Sequence, residues 1–181
     1  MGRSSIKNPQ LLFCNTLNMP VPLATVSQQL PPLHIRFNDM PISQTSIIVP
    51  CLAMVAITAV VWLRLYFERV GEMRSRGIAA QAIATSREAG KRLHNTNAAD
   101  NFSNLFEIPV LFYVLCVLAF AANAVTPLLV TGAWAFVALR AIHSLIHCTY
   151  NRVMHRFPVY LLSTLILFAL WGIFAIKILQ T

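Results

Sequence analysis

Acid is scarce in this chain, with six Asp and Glu in 181 residues against 14 Lys and Arg. Charged residues make up 11% of the chain and hydrophobic ones 57%, where a soluble domain is usually about 25% charged. That balance excludes an ordinary water-soluble globule, and the mean hydropathy of +0.64 agrees. Cysteine is scarce as well. Cys14, Cys51, Cys116 and Cys148 show no CxxC or CxxH spacing and three of them lie in apolar runs, which argues against a disulfide framework. No glycine-rich phosphate loop and no Ser-His-Asp arrangement is visible. The formal net charge of +8 raises nucleic acid as a partner. The Lys and Arg residues sit between apolar segments, without interleaved surface aromatics or a recognition motif, so they read as topology signals and nucleic acid is set aside.

What the chain does have is apolar length. Pro41 to Leu63 carries no charge and leads into Trp62, Arg64 and Tyr66, a composition suited to an interfacial belt where an arginine can snorkel. A second span is expected from about Asn104 to Ala124 and a third from about Leu128 to Tyr150. Phe157 to Ile176 is an uncharged fourth, close to the length that crosses a hydrocarbon core of about 30 Å. Within the polar connection from Glu68 to Asp100, the good helix formers of Ala79 to Leu93 suggest a short interfacial helix. The expected fold is all-α: an integral membrane four-helix bundle with antiparallel neighbours, contacting membrane lipids. Residues 1–39 hold Pro9, Pro20, Pro22, Pro31 and Pro32 and no run long enough for a signal peptide or a span. They read as a disordered leader upstream of a start at Met40, with 40–181 as the membrane domain.

Basic residues gather in the first and third connections, at Arg69, Arg74, Arg76, Arg87, Lys91, Arg92, Arg152 and Arg156. The positive-inside rule puts those connections in the cytoplasm and both termini on the other side. The chain is short, poor in cysteine and without a cleavable signal, which points to a multi-pass protein of a bacterial inner membrane, with the endoplasmic reticulum as the alternative.

The few ionisable groups inside the spans are the candidates for function. On a helix of about 100° per residue, Arg140, His143, Ser144, His147 and Asn151 share an arc roughly 100° wide, while Ile142, Leu145, Ile146 and Thr149 point elsewhere. A guanidinium and two imidazoles cost too much to face lipid, so the stripe should face protein or a ligand. Glu107 is the one acid within a span. Asn104 as N-cap with Glu107 three residues on forms a capping-box variant, whereas Pro109 argues for a kink beside Glu107. The spacing of His143 and His147 would also suit a metal or haem site, with Glu107 or His155 as a further ligand, although Arg140 would repel a cation. Arg152, His155 and Arg156 form a basic cluster, read equally as lipid contact or an anion site.

At these residues the chain resembles the MAPEG family, the membrane-associated proteins in eicosanoid and glutathione metabolism. The resemblance spans roughly Met40 to Thr181. It rests on the four-span hydropathy, the basic first loop, Asn104-x-x-Glu107 followed by a proline, the stripe led by Arg140, and Arg156 ahead of Pro158 and Tyr160. It implies a homotrimer that binds glutathione between subunits and acts as a transferase or peroxidase on lipophilic electrophiles. By the same resemblance Arg156 activates the thiol, Asn104 and Glu107 hold the tripeptide, Arg140 binds a carboxylate, and His143 and His147 complete the pocket. The chain departs from the family pattern at three places. Asp100 stands where an arginine precedes the motif asparagine, His143 and His147 stand where the better-known transferases have tyrosines, and the proline follows Glu107 by two residues rather than three. The rival readings are a non-catalytic oligomer whose stripe is a structural polar network, or a histidine-based metal or haem site.

Overall fold

The computed structural model describes residues 43–180. The leader and the start at Met40 lie outside the described residues. Helix α1 spans Ile48–Arg76, α2 Ser86–Arg92, α3 Asn97–Asn104, α4 Ile108–Ala121, α5 Pro127–Cys148 and α6 Val153–Leu179, and the described residues contain no strand. Four helical segments, Gln44–Arg76, Asn97–Ala121, Pro127–Cys148 and Val153–Leu179, are long and apolar enough to cross a membrane. The described residues form a membrane four-helix bundle.

Helix α1 outruns the apolar stretch that marked the first span. Its extension to Arg76 is carried by two i,i+4 ion pairs, Arg64–Glu68 at 2.7 Å and Arg76–Glu72 at 2.8 Å, and it stops where Gly77 takes a left-handed conformation with φ 63. The connection folds back on this overhang. Ile83, Ala89 and Leu93 cluster with Met73 and Ile78. The Glu72 carboxylate accepts from the His94 amide at 2.7 Å, and Arg76 donates to the Arg92 carbonyl at 2.6 Å. The expected helical stretch is there in two pieces, a 3-10 turn at Ala80–Ile83 and then α2, which is capped by Thr85, whose hydroxyl accepts from the Glu88 amide at 3.3 Å.

The second span comes in two pieces, and this overturns the capping reading. Asn104 ends α3 instead of starting a helix, and Glu107 is itself the N-cap of α4, with no side-chain cap bond. The cause is Pro109. It lacks an N–H and its ring would meet the Leu105 carbonyl in a continuous helix, so the chain steps through Leu105–Glu107 with tight bonds such as Phe106 N to Ser103 O at 2.9 Å. The span also begins earlier than the hydropathy suggests, because Asn97 to Ser103 is polar yet helical.

Helix α5 is central. In its most apolar stretch 44% is buried within the subunit, against 22–33% in the other three spans. Thr126 caps its start on the Leu129 amide at 3.2 Å, and Gly132 lets it press close against Leu170 of α6. Phe112 of α4 stacks on Phe136 at 4.7 Å in the middle of the core. Outward, Leu52, Val60, Phe67, Val117, Leu145 and Leu165 are exposed, an apolar coat that suits lipid tails. At one end the Gln44 side chain accepts from the Val125 amide at 3.1 Å, tying the entry of α1 to the α4–α5 turn. The opposite end, where α1, α3, α5 and α6 meet, carries the polar groups.

Candidate functional site

The stripe on α5 faces inward. Arg140, His143, Ser144 and His147 are all buried, while Ile142, Leu145 and Thr149 are exposed; Ile146 is buried too. Asn151 belongs to the same constellation by a different route. Helix α5 ends at Cys148, and Asn151 sits in the following turn with φ 46, a left-handed conformation that asparagine tolerates. The turn swings its amide back toward α3 and α6.

Three asparagines of α3 meet this stripe. Asn101, fully buried, donates to the Cys148 sulfur at 3.3 Å and accepts from the Ser144 hydroxyl at 3.5 Å. The Asn104 amide lies 3.4 Å from His147 Nδ1, and the Asn97 oxygen accepts from the Asn151 amide at 2.7 Å. From α6 comes Arg156, half-buried. Its Nη1 contacts His147 Nε2 and donates to the Asn151 oxygen at 2.7 Å, and its carbonyl accepts from His143 Nδ1 at 3.2 Å. Arg152 and His155, its neighbours in sequence, stay exposed, so the basic cluster splits into one inward and two outward members.

Arg140 lies beneath this network with 0% exposure. Its guanidinium is sandwiched between two rings, 5.4 Å from the centre of Phe136 and 4.9 Å from that of Tyr160. None of its three nitrogens makes a hydrogen bond of ordinary geometry among the described residues, the Tyr160 side chain being a polar group close enough to interact with it. Buried donors are almost always satisfied, so a cation left this way stands out as a candidate for function. His143 shares the feature: its Nε2 is buried and unpartnered among the described residues, with the Tyr160 ring 5.7 Å away.

Glu107 stands apart from the hydrogen-bonded group. It is exposed and forms no ion pair among the described residues. At the start of α4 it sits at the positive end of a helix dipole, which favours a carboxylate there. Asp100 is exposed in the first turn of α3 and accepts from the Thr96 hydroxyl at 3.0 Å. His143 and His147 pack edge to face at 5.6 Å, but no three His, Cys, Asp or Glu side chains among the described residues converge as metal ligands.

The geometry thus unites Asn104, Arg140, His143, His147 and Arg156 at one end of a four-span bundle, with Glu107 at the broken head of the second span. A family model described as the MAPEG family matches residues 47–176, which takes in all of these positions. The chain belongs to the MAPEG family. Comparison with curated proteins and with solved structures gave no match. With four membrane-capable helices, this MAPEG member is a multi-pass membrane protein.

Sequence pattern had not singled out Asn97 and Asn101 of this MAPEG chain. Their spacing of four and then three to Asn104 was the available signal, since it sets all three on one face of α3. It passes unnoticed because polar residues ahead of an apolar run look like loop.

Proposed function

We propose that this MAPEG protein is a glutathione-dependent transferase or peroxidase acting on lipophilic electrophiles that arrive through the bilayer, and that it works as a homotrimer. The observation that carries the reading is the state of Arg156. Only Nη1 is engaged by side chains, and Nε and Nη2 have no partner among the described residues, on a half-buried residue at the same end as Asn104 and Glu107. A guanidinium edge so disposed suits an anion. Glutathione brings carboxylates, an amine that Glu107 can take, and a thiol that is mostly protonated near neutrality at a free-cysteine pKa of about 8.5. The thiol gives up its proton to water, Arg156 stabilises the resulting thiolate, and the sulfur forms its bond to the electrophilic carbon as the leaving group departs with its electron pair.

Arg140, whose guanidinium lies between Phe136 and Tyr160 in the subunit, is the positive group that a glutathione carboxylate faces in this reading. It acts through its field, a fixed positive charge in a low-dielectric floor. His143 and His147 complete that floor. The topology that goes with this reading has the site on the cytoplasmic side of a bacterial inner membrane and both termini opposite, in keeping with the basic connections. Purified protein in detergent tests it by calorimetry with glutathione, conjugation of an aryl halide and reduction of a lipid hydroperoxide. Binding at submillimolar glutathione with either activity, both lost in Arg156→Ala, is expected. Silence at millimolar glutathione overturns the reading.

A second reading draws on the burial of Arg140, His143, His147 and Asn101: a non-catalytic oligomer held by this polar network. It requires His143→Ala or Glu107→Gln to dissociate or destabilise the oligomer, with no ligand protecting it.

A further inference from the structure

Resting on the glutathione reading, we infer that His147 is a positioning residue that aims Arg156, and that Asn151 is its counterpart on the same nitrogen. A guanidinium has only donors. The contact between Arg156 Nη1 and His147 Nε2 therefore fixes Nε2 as the acceptor and puts the imidazole proton on Nδ1. That proton points at the Asn104 amide 3.4 Å away, which receives it with its oxygen after a half-turn of the amide group. Nη1 also donates to the Asn151 oxygen at 2.7 Å, and Asn151 is held in turn by donating to Asn97 at 2.7 Å.

The chain of bonds thus runs from α3 through His147 to Arg156, and back through Asn151 to the first residue of α3. Both its ends rest on the same short helix. Two acceptors on Nη1 leave the guanidinium little freedom to rotate, and the opposite edge, Nε with Nη2, is the one presented to a ligand. A planar fork presented by its Nε–Nη2 edge can bond an anion with two parallel donors. A hydroxyl at position 147, on a ring that reaches further, would not fill the space of an imidazole nitrogen or make the same bond. His147 is nearly sealed from solvent, with 2% exposure, so its contribution passes through Arg156 and not through the ligand.

The test uses the full chain in detergent. Nitrogen-15 NMR of histidine-labelled protein, with the His147 signals assigned by their loss in His147→Gln, should show Nε2 unprotonated and Nδ1 protonated near neutral pH. An Nε2–H tautomer or an imidazolium there overturns the inference, whether or not glutathione binds. In turnover, His147→Gln keeps an acceptor oxygen and should retain most of kcat. His147→Leu should lose kcat by on the order of 10- to 100-fold, the worth of a hydrogen bond to a charged group, with KM for glutathione little changed. Asn151→Ala should move kcat the same way and answers the question if the leucine variant fails to fold. Full kcat in both variants refutes the positioning role. A wild type that shows the expected tautomer but ignores glutathione refutes the functional reading alone.

Discussion

Replacing Arg140 by methionine should make this protein more stable and, on the glutathione reading, weaken its binding of glutathione. The guanidinium is at 0% exposure, and none of its three nitrogens makes a hydrogen bond of ordinary geometry among the described residues, the Tyr160 side chain being its nearest polar neighbour. An unsatisfied buried donor costs about 1–3 kcal/mol, more on a charged group. Stacking against Phe136 and Tyr160 returns about 0.5–2 kcal/mol per ring. The deficit leaves room for a gain, and methionine keeps most of the apolar stem and places a polarisable sulfur between the same two rings. Exchange of buried ionic groups for well-packed apolar ones commonly stabilises by about 1–4 kcal/mol, so thermal unfolding in detergent should shift upward by a few degrees. Glutathione affinity, measured by calorimetry on the same sample, should fall as the positive floor of the site disappears. A melting temperature that drops by several degrees would refute the reasoning, because it would make Arg140 a structural member of the bundle and favour the non-catalytic reading.

Two further substitutions probe the scaffold. A side chain at Gly132 would run into Leu170 of α6, so Gly132→Val should destabilise by about 1–3 kcal/mol from overpacking, read as a lower melting temperature, with Leu170→Ala in the same chain restoring part of the loss. Glu72→Ala removes the carboxylate that accepts from the amides of His94 and Asn95, so hydrogen exchange at those two amides should quicken while exchange in the middle of α5 stays unchanged.

Much of this architecture was legible in the residues, and for a definite reason. Uncharged runs of about 20 residues have few alternatives to a spanning helix, and the angular arithmetic that grouped Arg140, His143, Ser144 and His147 needs only a regular helix to hold. Boundaries were harder. Hydropathy located the apolar part of α1, but the helix runs on to Arg76 through ion pairs that a hydropathy profile registers as loop. At the head of the second span two local rules competed. Asn104 and Glu107 matched a capping pattern, while Pro109 demanded a break just ahead of it, and the steric requirement of the ring prevailed. Asn151 fell on the stripe by arithmetic although it lies beyond the helix, so its place in the site comes from a left-handed turn. The contact of Arg156 with His147 joins residues nine apart across a reversal of the chain, and only the folded geometry reveals it.

The interruption at Leu105–Glu107 divides one crossing into segments that answer to different masters. Helix α4 is wedged in the aromatic interior, whereas α3 is lashed by its asparagines to the α5–α6 reversal and follows straight on from the connection anchored at Glu72. A push on that connection is taken up at the joint before it reaches the interior. Substitutions in the surface connection should therefore act on the asparagine row, and through Asn97 and Asn151 on Arg156, ahead of the wall that spans the lipid.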